Sequence, residues 1–298
     1  MEGYLRSDLA CENSENLSNR VDGAETSVHQ NGGYRILRMR IKNQSAAKTI
    51  GKPIGTYITV ECGKIHYLGR EKATRLSRIL SGELRGMAEV LTGKSLNPEF
   101  GVLVIGLGNA ELTADSLGPQ TVSKLTATRH LREHEDALYR EIGCCALSSL
   151  APGVLGQTGI EAAELLCSAV ETVKPDLVLA VDALAARSCD RLASTVQISD
   201  VGIVPGSGVG NHRSAINSET LGIPVIALGI PTVVDSSTLV YDALREAHVE
   251  QIDDALKAVL ENGRSFFVSP KESDVIAEHI SSLLSQSIEY AFVGDLSF

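Results

Sequence analysis

Two aspartates in this chain stand where an acidic side chain could do chemistry. Asp182 closes the apolar run L-V-L-A-V, and an ionised carboxylate there is costly unless it is paired or opens into a cleft. Asp115 ends the glycine loop G-L-G-N-A-E-L-T-A-D and precedes S-L-G-P-Q-T-V, so it reads either as a helix N-cap or as a group held at a strand end. Two carboxylates facing one cleft do not both ionise readily: one keeps a proton while the other activates water. Such a pair can hydrolyse a peptide bond without a metal. Their spacing of 67 residues leaves open whether they meet.

Other patterns compete for attention. His130-Leu131-Arg132-Glu133-His134 has the H-x-x-E-H spacing of inverted zinc peptidases, and on a helix both imidazoles share a face. The segment is very polar and offers no clear third ligand nearby, so a charged helix end is the competing interpretation. Gly106-Leu107-Gly108 follows a strand, but the third glycine of a dinucleotide fingerprint falls on Glu111. The cluster P-G-S-G-V-G-N from Pro205 can shape a backbone nest for a carbonyl or anion, or simply a tight turn. Ser207 within it fails the nucleophile-elbow pattern because Pro205 stands where the first glycine belongs. A-E-V-L-T-G-K-S from Ala88 fits a loose phosphate-loop expression, yet lies at a helix end rather than between strand and helix.

The elements that must position these groups follow from periodicity. Residues 1–33 are polar and read as an arm without periodic structure. From Tyr34 apolar and basic residues alternate as in a half-buried strand, and T-Y-I-T-V-E-C from Thr56 makes a second. Residues 70–92 read as a helix stopped by Gly93. Apolar runs at 102–108, 176–183 and 224–230 alternate with helical stretches, the pattern of a parallel sheet wrapped by helices. Thr158 and Glu161 have capping-box spacing for a helix running to about Val173, and residues 236–261 and 271–289 read as two terminal helices.

Composition sets outer limits. With 298 residues, 43% hydrophobic and 21% charged, the chain can bury a substantial core. No run reaches the length of a membrane span and the start lacks the apolar core of a signal peptide, so a cytoplasmic protein is expected. Six cysteines, none in a C-x-x-C pair, read as reduced thiols. A net charge of −10 argues against a nucleic-acid coat, although residues 34–94 hold 13 Lys/Arg against 4 Asp/Glu.

Several segments, in order, resemble one family closely: V-I-G-L-G-N, T-A-D-S-L-G-P, T-R-H-L, A-P-G-V-L-G-Q-T-G-I-E, K-P-D-L-V-L-A-V-D-A-L-A-A-R, Q-I-S-D-V-G-I, P-G-S-G-V-G-N and G-I-P-T-V-V-D. They are similar to the germination proteases, which degrade small acid-soluble proteins of bacterial spores. The resemblance implies an α/β three-layer sandwich with a mainly parallel sheet between helices, similar to hydrogenase maturation proteases. It implies an atypical aspartic endopeptidase of the spore core, a homotetramer that takes no added cofactor; no metal-ligating residue and no membrane or nucleic-acid partner is assigned. Asp115 and Asp182 fall on the family's aspartate pair. Gly108, Asn109, Gly206, Ser207 and Gly208 are candidate substrate or oxyanion loops. Members are zymogens that cut themselves near the amino terminus, which places the cut between Asp8 and Leu9. Residues 1–8 are then a propeptide and residues 9–298 a single protease domain with an amino-terminal arm and carboxyl-terminal helices. In the related maturation proteases the cleft holds a metal, so a metal-dependent peptidase using this cleft or the His130/His134 pair is the alternative.

Overall fold

The computed structural model describes residues 7–15, 21–206, 213–249, 253–261 and 266–295. Its strands are β1 (Ala24–Asn31), β2 (Tyr34–Ile41), β3 (Gly55–Glu61), β4 (Gly101–Gly106), β5 (Ala146–Leu150), β6 (Leu177–Ala186), β7 (Thr195–Ser199), β8 (Val225–Asp235) and β9 (Phe267–Val268). The helices of the first half are α1 (Ala10–Glu15), α2 (Gln44–Ile50), α3 (Arg70–Thr92), α4 (Leu117–Ser123), α5 (Arg129–His134) and α6 (Asp136–Ile142). Those of the second half are α7 (Leu155–Thr158), α8 (Ala162–Val173), α9 (Ser218–Leu221), α10 (Ser236–Glu246), α11 (Asp254–Glu261) and α12 (Ser273–Phe292).

One sheet runs through the molecule in the order β1-β2-β3-β7-β8-β6-β4-β5, with β9 paired to β8. Strands β8, β6, β4 and β5 are mutually parallel, and β1, β2, β3, β7 and β9 join by antiparallel pairings. The parallel strands read as continuous apolar runs because both of their faces are covered. On one face α3, α4 and α12 pack Leu76, Leu80, Leu84, Leu117, Ile280 and Leu284 onto Val104, Leu179 and Leu228. On the other, Leu166 and Val170 of α8 cover Leu103, Ile105 and Val178, while α1 and α2 cover the antiparallel half. The chain therefore forms the three-layer α/β sandwich expected from its sequence.

Four local expectations change. The polar arm contains a strand: β1 pairs with β2 along its whole length through the turn at Gly32-Gly33. Its side chains show no apolar alternation because they face solvent at the sheet edge, so only the backbone ladder holds it. The same arm also contains a buried piece, with Leu9, Ala10 and Cys11 fully buried. Thr158 and Glu161 form no capping box. Instead α7 ends at Thr158, whose hydroxyl turns back to the Val154 and Ile160 carbonyls, and Glu161 caps α8 without a side-chain bond. The stretch 236–261 divides into α10 and α11. All six cysteines are free thiols, and no helix among the described residues is long and apolar enough to cross a membrane.

Candidate active site

Strand β4 stops short of its neighbour. The last β4–β6 pair is Gly106 with Val181, Leu107 N–H adds one more bond to the Val181 carbonyl at 2.8 Å, and β6 then continues alone on that side. The chain leaves β4 toward β5 and leaves β6 toward β7, in opposite directions across the sheet, so the loops part and leave a crevice at the carboxyl ends of the strands. Asp182 is the first residue of β6 beyond the pairing, and the crevice opens as a cleft of about 970 Å³.

Asp115 reaches the same cleft by a different route. It ends a 3-10 turn over Thr113–Asp115, and its N–H closes that turn on the Leu112 carbonyl at 2.8 Å. Thr232 of β8 anchors the turn by donating to the Ala114 carbonyl at 2.7 Å. Asp115 is not the N-cap of α4, which begins after Ser116 without a side-chain cap bond. Its Oδ2 accepts instead from the Asn109 N–H at 2.8 Å, tying the loop after β4 to the turn before α4. Gly108, at φ +112°, makes this closeness attainable: a Cβ there would lie 2.0 Å from the Asp115 carbonyl oxygen.

Asp8, Asp115, Asp182 and Arg213 all line the cleft. Asp182 is 5% exposed and its Oδ1 accepts from the Ala183 N–H at 2.8 Å. Burial pushes its carboxyl well above the usual range, and the nearby Asp115 and Asp8 charges push it further. The Ala183 bond and Arg213 pull the other way without prevailing. Asp115 is raised as well, chiefly by burial, against the opposing Asn109 bond and Arg213. The cleft thus joins a carboxyl from within β6 and one from the turn before α4 with a third, from the amino-terminal segment, and one guanidinium.

Asn109 and Gly206 also reach the cleft, Asn109 with its N–H already given to Asp115. Ser207 and Gly208 lie outside the described residues. His130 and His134 are exposed on α5, where Arg129 pairs with Glu133 at 2.8 Å, and neither lines the cleft. Among the described residues no group of three or more His, Cys, Asp or Glu converges as a metal site.

The family model for germination proteases matches residues 6–249. The germination protease of Caldanaerobacter subterraneus subsp. tengcongensis is 38% identical over 98% of this chain and 95% of its own length. The chain belongs to the germination protease family. Its similarity to the germination protease of Clostridium perfringens (strain ATCC 13124) is 37% over 96% of this chain and 94% of that one. For the germination protease of Priestia megaterium it is 42% over 80% of this chain and 63% of that one. The germination protease match spans every strand of the parallel half and all three cleft aspartates.

Asp8 pairs with the free edge of β6: its N–H donates to the Ala185 carbonyl at 2.9 Å, and its Oδ2 accepts from the Ala185 N–H at 2.9 Å. Leu9 packs on Leu184 and Ala186 in an apolar pocket. Glu12, 1% exposed, accepts from the Arg187 and Ser188 N–H groups at 2.8 and 2.9 Å, and from the Ser7 hydroxyl. Arg213 belongs to no motif that the sequence offers. The glycine cluster just before Arg213 was its one local signal, whereas nothing near Glu12 announces two backbone donors 175 positions away.

Proposed function

We propose that this germination protease homologue is an endopeptidase that cuts small acid-soluble spore proteins, with Asp115 and Asp182 as its acid–base pair. The observation that carries the proposal is Asp182 itself, an almost fully buried carboxyl held in a cleft beside the charge of Asp115. Asp182, the more strongly raised of the two, keeps the proton and acts as general acid. Asp115, steadied as an anion by the Asn109 N–H, draws a proton from the attacking water. Arg213 limits the accumulated negative charge, and the loops at Gly108 and Gly206 shape the cleft walls. The chain is made as a zymogen and processes itself between Asp8, which lines the cleft, and Leu9, which is buried against Leu184 and Ala186. It acts in the spore core as a homotetramer, for which exposed Leu239, Val240, Leu256 and Val259 on α10 and α11 offer apolar surface to cover.

The test is mass-spectrometric cleavage of a small acid-soluble spore protein by the wild-type chain and by Asp182→Asn, each with and without a chelator. Cutting at a few acidic–apolar bonds that resists chelator and falls by at least about 10³-fold in the variant is expected from loss of a general acid. Full activity in Asp182→Asn removes the aspartate pair, and loss of cutting only with chelator moves the chemistry to a metal.

A further inference from the structure

The Leu107 N–H is engaged with the Val181 carbonyl and the Asn109 N–H with Asp115. The Asp8 carbonyl oxygen takes two other donors, Lys52 Nζ at 3.0 Å and Gln197 Nε2 at 3.0 Å.

Both donors are held from behind. Gln197 sits mid-strand in β7, 8% exposed, and its Oε1 accepts from the Ala10 N–H at 2.7 Å. That bond fixes which end of the amide faces Asp8, so Nε2 is the donor left to point at the carbonyl. Lys52 follows the last turn of α2, where its N–H returns to the Ala47 carbonyl at 3.2 Å, and its ammonium bridges the Ser7 and Asp8 carbonyls at 3.0 Å each. Burial lowers the Lys52 pKa, opposed by the charges of Asp8, Glu12 and Cys11. An ammonium in that setting is an expensive way to anchor a neutral carbonyl but an effective partner for a negative one. Both donors stand 3.0 Å from the carbonyl oxygen on which negative charge would develop, the kind of preorganised placement that stabilises an oxyanion.

We propose that Lys52 and Gln197 form the oxyanion-stabilising pair for hydrolysis of the Asp8–Leu9 bond. This rests on the proposed self-processing at that bond. Water adds through its oxygen to the Asp8 carbonyl carbon and gives one proton to Asp115. The carbonyl π pair moves onto the oxygen between Lys52 and Gln197. As the pair returns, the carbon–nitrogen bond breaks, the Leu9 nitrogen takes the Asp182 proton, and the acid left on Asp8 passes the second water proton to the now ionised Asp182, ending as a carboxylate beside Lys52.

The experiment follows the full chain by intact mass over time, with amide hydrogen exchange read across residues 9–12 on the unprocessed protein. Lys52→Met and Gln197→Leu are expected to slow appearance of the Leu9 terminus by about 10²–10³-fold each. Protection of residues 9–12 stays as in wild type in Lys52→Met, and in Gln197→Leu at every amide but that of Ala10, whose acceptor the change removes, while Lys52→Arg recovers most of the rate. Wild-type rates in both Lys52→Met and Gln197→Leu overturn the proposal, as does a slowing matched by lost protection, which marks the pair as mere anchors. A wild-type chain that never yields a Leu9 terminus overturns both the pair and the self-processing on which it rests. Asp182→Asn processing at the wild-type rate overturns the aspartate mechanism alone.

Discussion

Asp182 shows how strongly one residue's surroundings can set its chemistry. A carboxyl raised by burial and by neighbouring anions is easier to keep protonated in the folded chain than in the unfolded one. Its contribution to stability is therefore full below the unfolded-state pKa of about 3.9 and is lost as pH rises through the higher folded value. Asp182→Asn, which cannot ionise, is expected to raise Tm at neutral pH by about 2–4 °C for each kcal/mol relieved. That gain should vanish below about pH 4 in calorimetric scans, where both states of the wild type are protonated. Catalysis responds on both sides: kcat/KM should fall at high pH as Asp182 ionises, and at low pH as Asp115, also raised, takes up a proton.

Elements matter here mainly through one close approach. Helix α4 lies against the ends of β4 and β6 because Gly106 and Gly118 have no side chains; a Cβ on Gly118 would sit 2.2 Å from the Leu107 carbonyl oxygen and 2.6 Å from that of Val181. Alanine favours a free helix over glycine by about 1 kcal/mol, but those neighbours are strand backbone and cannot give way cheaply. Gly118→Ala is expected to cost about 1–3 kcal/mol in urea unfolding. By shifting the turn that carries Asp115, it should also lower kcat by about 10²-fold. A stable Gly118→Ala protein with wild-type kcat would show that the helix does not set the position of Asp115.

At the scale of the whole molecule, the amino-terminal segment acts as a keystone over the β6 edge. Leu9 to Cys11 are buried, and the Glu12 carboxylate satisfies two backbone donors that would otherwise be orphaned where β6 ends. Glu12→Ala is expected to destabilise the chain by about 1.5–3 kcal/mol, the range for losing hydrogen bonds to a charged group. Limited proteolysis near residues 9–15 should become faster in that variant. Unchanged denaturant midpoint and proteolysis would reduce the segment to a loosely attached tail. The uneven charge belongs to this scale as well: Arg35, Arg38 and Arg78 of the basic stretch each pair with a carboxylate at 2.5–2.8 Å. These half-exposed pairs fit a solvated surface better than an open basic face.

The sequence by itself determined the alternation of buried strands and helices and the stop of α3 at Gly93, because each of these is written in short-range spacing and polarity; it read Asp182 as a strand end, whereas β6 runs on to Ala186. It did not reveal β1, whose exposed side chains carry no apolar period, nor the break between α10 and α11. Only the tertiary structure decided that Asp8, Asp115, Asp182 and Arg213 share a cleft, and that Gln197 meets an oxygen 189 positions earlier in the chain. Those encounters depend on strand order, register and the early stop of β4. Such relations arise when distant segments bury their apolar faces together, so no local pattern in the chain records them.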